Sequence, residues 1–172
     1  MSLPAKARQE DRRRELTLWI LLGADAAQVA PTEAGKRFER SFVAHAEAPT
    51  SMEATEFYAI ERMDDHLPTP EEWETLRSSV IETVQVIELN RSVLDETIRK
   101  ASPNWRVDRM PLVDRCLLRI GVAELLFRDE PRPRATFNGL IELAKRYGEQ
   151  TSPKFINGIL DQIRRNQDIP FK

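Results

Sequence analysis

Two short stretches carry side chains suited to binding a polyanion. Arg12-Arg13-Arg14 opens an amphipathic segment near the N-terminus, and Lys154-Phe155 follows Ser152-Pro153 near the C-terminus. Guanidinium forks match pairs of phosphate oxygens and also stack on bases. A helix start adds backbone N–H donors for phosphate. A cation beside an aromatic ring suits unpaired RNA, through phosphate contact and base stacking. Each stretch alone is a weak signal. Charged residues usually solvate helix surfaces, and a phenylalanine in an apolar stripe usually belongs to a core.

Other chemistry finds little support. The sequence contains no Gly-rich phosphate loop, no G-x-S-x-G elbow and no H-E-x-x-H pair. The acidic residues Glu61, Asp64, Asp65, Glu71, Glu72 and Glu74 follow no metal-loop spacing, and helix starts favour carboxylates in any case. Cys116 is the only cysteine, which excludes intramolecular disulfides and cysteine-based zinc sites. It lies in the most apolar segment and reads as a small core residue. His45 and His66 stand among charged residues and read as surface. No catalytic residue, metal or cofactor is expected. No run of about 18 apolar residues marks a membrane span. The polar start lacks the apolar heart of a secretory signal, so a cytoplasmic protein is expected.

Over 172 residues the formal charge is −2, which speaks against a generally basic nucleic-acid binder. The charge is unevenly spread. Residues 1–14 hold five basic against two acidic residues, 15–75 four against thirteen, 76–131 nine against nine, and 132–172 eight against four. Two basic ends bracket an acidic stretch, and if they meet in space they form a positive patch that the average hides.

These residues must be positioned by helices. Apolar spacing near 3.6 recurs and no period-2 strand stands out, so the fold is expected to be all-α. A first helix is expected from Pro4 or Asp11 to Leu22, stopped by Gly23. A second follows Pro31-Thr32 with Phe38, Phe42 and Val43, and a third lies between Ser51 and Met63. Thr69-Pro70-Glu71-Glu72 is a capping-box start. The long helix it opens carries Trp73, Leu76, Val80, Val84 and Ile87 and continues through Val93, Leu94 and Ile98 to Ser102-Pro103-Asn104. The 109–128 helix is apolar almost all round and is expected to be the central, most buried element. After the Pro131-Arg132-Pro133 linker, a helix runs to Tyr147, with Gly148 as a left-handed cap. Ser152-Pro153 opens the last helix, with Phe155, Ile156, Ile159, Leu160 and Ile163 inward, and a tail follows Asn166.

The C-terminal half carries a more specific pattern. Leu117-Leu118-Arg119-Ile120-Gly121-Val122-Ala123-Glu124-Leu125-Leu126 is followed by Ile141-Glu142-Leu143-Ala144-Lys145-Arg146-Tyr147-Gly148. Then comes Ser152-Pro153-Lys154-Phe155-Ile156-Asn157-Gly158-Ile159-Leu160-Asp161. In this order and spacing, residues 109–165 resemble the transcription antitermination factor NusB family, and Arg12-Arg13-Arg14-Glu15 resembles its R-x-R-E opening.

The resemblance implies an all-α fold of two small helical subdomains around a central buried helix. It implies one such domain over 1–172: an N-terminal part to residue 69 with an acidic expansion, the long helix and C-terminal bundle over 70–166, and a tail over 167–172. It implies a non-enzymatic factor that binds single-stranded boxA RNA with ribosomal protein S10 in an antitermination complex on RNA polymerase, notably on ribosomal RNA operons. By motif position, Arg12, Arg14, Arg119, Lys154 and Phe155 would meet RNA and Asp114 would face S10. Homodimers occur among such proteins. The departures are Trp19-Ile20-Leu21-Leu22 for a Q-[AM]-L-[YF] stretch, Gly139 for glutamate, Pro153 for histidine or lysine, Thr151 for aspartate, and the long acidic region 24–69. The alternative is a diverged protein-interaction module of the same fold with weak or no RNA binding.

Overall fold

Thr69 begins the best-marked helix as its sequence dictates. Its side-chain oxygen accepts the Glu72 backbone N–H at 3.2 Å, and Pro70 occupies the first turn. The computed structural model describes residues 5–47 and 67–171, the side chains of 41–47 excepted. Among the described residues it holds seven α-helices: α1 (Ala5–Ala27), α2 (Pro31–Glu47), α3 (Pro70–Leu89), α4 (Arg91–Ala101), α5 (Leu112–Leu126), α6 (Pro133–Tyr147) and α7 (Ser152–Asn166). A short 3-10 turn, Val107–Arg109, joins α4 to α5. The expected helix between Ser51 and Met63, His66, the acidic residues 61–65 and the side chains of Phe42, Val43 and His45 lie outside the described residues.

The helices enclose two apolar clusters, and α1 feeds both. Leu16, Trp19 and Ile20 pack with Phe38 of α2 and with Trp73, Val80 and Val84 of α3. Leu18, Leu21 and Leu22 point the other way, into a larger cluster with Leu94 and Ile98 of α4, Leu117, Leu118 and Ile120 of α5, Leu140 of α6, and Ile156 and Leu160 of α7. Every residue from Arg13 to Leu22 is buried, as is every residue from Cys116 to Leu125. The expected central helix, α5, is therefore central to its own cluster, and α1 shares that position.

Three local expectations change. First, α1 runs through Gly23 to Ala27, and Gln28 after it takes the left-handed conformation at φ 54°. Ala24 is held in the first cluster, and the chain turns back only after it, with the Val29 N–H donating to the Ala24 carbonyl at 3.0 Å. Second, the long helix breaks at Asn90. The Asn90 side-chain amide donates to the Val86 carbonyl at 2.8 Å, a local bond that competes with continued helix. The break redirects the chain, so that α3 serves mainly the first cluster and α4 the second. Third, Gly148 is extended (φ −89°, ψ −176°) and not left-handed. Its need is for space, since a Cβ there would lie 2.7 Å from the Ala144 carbonyl oxygen and 2.7 Å from Ser152 Cβ.

Cys116 is 1% exposed, and burial pushes its thiol up to about 12. Leu118→Ala is expected to cost about 2–5 kcal/mol in chemical denaturation, because α5 cannot collapse onto the cavity. The Cys116 thiol is expected to resist a thiol-reactive probe in native buffer and to react fully in denaturant; native reactivity at a free thiol's rate would contradict its placement.

Candidate nucleic-acid interface

The start of α7 presents a groove. Ser152 anchors the turn before it, its hydroxyl accepting the Glu149 N–H at 2.9 Å. Pro153 in the first turn suits a helix start. Lys154 is exposed and forms no ion pair among the described residues, while Phe155 is half-buried and packs against the larger cluster. The Phe155 ring meets Trp105 edge to face, with centroids 5.4 Å apart. These residues line a trough of about 490 Å³ with Pro103, Asn104 and Gly158. Lys154 and Phe155 are thus brought together at the surface as the sequence suggests. Trp105 was not singled out by sequence reasoning. The available signal was an aromatic residue directly after the helix-breaking Ser102-Pro103-Asn104.

The arginine triplet is arranged differently. Arg14 is 1% exposed and forks onto Glu124, its Nε and Nη2 each lying 2.9 Å from a carboxylate oxygen. Arg13, 3% exposed, also pairs with Glu124 and donates to the Thr83 hydroxyl at 2.7 Å. The Thr136 hydroxyl donates to Glu124 at 2.6 Å. Burial alone would push the Glu124 carboxyl up. The charges of Arg14 and Arg13, with hydrogen bonds from Arg14 and Thr136, outweigh burial and hold it at about 2. Gly139 of α6 makes room for this arrangement, because a Cβ there would lie 2.5 Å from Asp11 Oδ1 and 2.8 Å from Arg14 Nη1. The departure noted at that position therefore has a steric reason.

Arg12 is the outermost of the three, with 16% of its side chain exposed. It donates to Glu15 at 2.6 Å and to Glu72 at 3.0 Å, and its guanidinium lies 5.3 Å from the centroid of the Trp19 ring. The Glu72 side chain, expected to complete the capping box, is engaged by this arginine. Glu15 also accepts the Tyr147 hydroxyl at 2.7 Å and pairs with Arg146. Burial would raise the Glu15 carboxyl, but bonds from Tyr147 and Arg12 hold it below its ordinary value.

Two further positions depart from expectation. Arg119 is 6% exposed and forks onto Asp95 at 2.8 and 2.9 Å, which ties α5 to α4. Asp114 is 4% exposed; burial raises its carboxyl, against a hydrogen bond from Ser152, and its Oδ1 has no partner. Like Arg14, both are buried in the fold. Sequence reasoning assigned them by motif position, and motif position does not distinguish a helix's inner face from its outer one.

The molecule is thus an all-helical, two-bundle protein with an aromatic–cation groove at the start of its last helix. The chain belongs to the NusB family, whose model matches residues 39–165. It is 44% identical over 90 residues to a transcription antitermination protein NusB of Sorangium cellulosum, covering 52% of this chain and 64% of that one. The chain spans about half the length of other curated relatives of that name. The fold resembles a crystal structure of antitermination factors NusB and NusE in complex with double-stranded RNA, with TM-score 0.62, 21% identity, and 95% and 99% of the two chains covered. It also resembles a solution structure of NusB from Aquifex aeolicus, with TM-score 0.61, 25% identity, and 92% and 88% covered.

Glu124→Gln is expected to cost about 3–5 kcal/mol, since it leaves two buried guanidinium groups poorly compensated. The Glu124 carboxyl is depressed in the folded state, so its stabilisation is complete above its unfolded value and is lost as pH falls toward about 2. Stability of the wild-type protein should therefore fall between about pH 5 and pH 2, and the Gln variant should show a shallower slope in that window. Equal slopes in denaturation at several pH values would contradict the assignment.

Proposed function

We propose that this protein is an RNA-binding transcription antitermination factor. In this reading it takes single-stranded boxA-type RNA together with NusE, ribosomal protein S10, and supports RNA polymerase elongation on ribosomal RNA operons. The observation that carries the reading is the groove at the start of α7, where Lys154, without an ion pair among the described residues, stands beside the half-buried Phe155 and the exposed Trp105 in a NusB-family chain. Phe155 supplies a surface for a base and Lys154 a phosphate contact. Arg12, the most exposed of the N-terminal triplet, is the one assigned to phosphate; Arg14 and Arg119 hold the fold on which the groove is built. The role is non-enzymatic and cytoplasmic. It fits a chain in which no described helix is long and apolar enough to cross a membrane.

A second reading, a protein-interaction module without RNA binding, draws on Leu89 and Val93, which are 83% and 49% exposed at the α3–α4 break.

Fluorescence anisotropy with labelled boxA RNA, with and without NusE, separates the two. Binding that strengthens with NusE and weakens steeply with salt is expected. Lys154→Ala should reduce the salt slope by about one phosphate contact, and Phe155→Ala should weaken binding by about 1–3 kcal/mol. NusE binding with no RNA binding at low salt would favour the second reading. Tighter binding of a duplex than of the single strand would sink the single-strand assignment.

A further inference from the structure

The groove over α7 does not end at Phe155. Trp105 is 54% exposed, whereas Trp19 and Trp73 are 0% and 2% exposed, so it is the one surface tryptophan of the three in the chain. Trp105 and its neighbour Pro103 also line a second trough, of about 830 Å³, on the side facing α4 and the 3-10 turn. The indole is therefore a wall shared by two grooves.

The troughs differ in chemistry. The first is mainly apolar and has one cation, Lys154, without an ion pair among the described residues. The second holds five arginines against four carboxylates. Two of those arginines are committed inward: Arg115 pairs with Asp25 and Arg119 with Asp95, with side chains 19% and 8% exposed. Arg99 pairs with Glu96 and Arg106 with Asp108 at the surface, with arginine side chains 63% and 67% exposed. Exposed pairs of this kind contribute little to stability, so a phosphate can replace the carboxylate at small cost. A large exposed ring between an unpaired lysine and two exchangeable arginines fits a strand that alternates bases and phosphates.

We propose that Trp105 is a base-stacking post. One unpaired RNA strand crosses it from the Lys154–Phe155 groove into the trough of Arg99 and Arg106, with a base against the indole and the flanking phosphates at the cations on either side. This rests on the RNA-binding reading above and adds to it a contact residue and the direction in which the strand continues.

Tryptophan emission tests it directly, because Trp19 and Trp73 are buried and the Trp105→Phe variant measures whatever signal they contribute. Unlabelled boxA RNA is titrated into the full chain with NusE present, and RNA binding is followed in parallel by anisotropy. Quenching of Trp105 emission should track the binding curve, and Trp105→Phe should remove the quench and weaken binding less than Trp105→Ala, because a smaller ring remains to stack. Trp105→Ala should weaken binding about 5- to 150-fold with an unchanged melting temperature. Arg99→Ala/Arg106→Ala should flatten the salt dependence. Normal binding with unquenched emission, and a Trp105→Ala affinity within about twofold of wild type, would overturn the post and leave the RNA reading standing. Absence of RNA binding by the wild-type protein would overturn both.

Discussion

The Glu124 carboxylate sits at the junction on which the rest of the arrangement depends. It lies on α5 and accepts from Arg13 and Arg14 of α1 and from Thr136 of α6, so that one buried anion ties three helices together. A lone buried carboxylate would be protonated or hydrated; two guanidinium groups and a hydroxyl make the ionised form the stable one. The cost of desolvating all three charges is large, and the gain is chiefly in specificity of docking. The bidentate fork accepts one register of α1 against α5, and Gly139 of α6 leaves the space that the Asp11 and Arg14 side chains occupy.

That commitment shapes the surface. An N-terminal arginine triplet looks like a phosphate-binding cluster, but two of its members are spent inside. Arg119 is spent in the same manner on Asp95. The exposed cations stand elsewhere: Lys154 at the start of α7 and surface pairs such as Arg106 with Asp108. The basic ends noted in the charge count contribute to RNA binding, in the proposed role, through far fewer side chains than their formal charge suggests.

Local signals survived into the structure where the physics is local. Thr69-Pro70 starts a helix because its own oxygen caps the turn, and the apolar run around Leu117–Leu125 is buried because no face of it can be left in water. Signals failed where distant contacts outweighed them. Gly23 is a local stop signal, but burial of Ala24 carries α1 past it. The apolar spacing runs on through residue 90, but Asn90 breaks the helix between the two clusters. Gly148 sits where a left-handed cap is common, yet it is extended and is needed for the closeness of Ser152.

The sequence by itself determined the all-helical class, most helix starts, the apolar central helix and the motif order that places the chain in its family, because capping and 3.6-residue periodicity act within a few turns. The placement of Lys154 beside Phe155 was legible for the same reason. Only the tertiary structure decided which cations face solvent and which aromatic rings share a groove. Arg14 meets its carboxylate 110 residues away, and Trp105 meets Phe155 across the interface of α7 with the turn after α4. Such pairings depend on how helices dock, and a charge or ring in a one-dimensional sequence has the same appearance whether its partner is water or a buried residue.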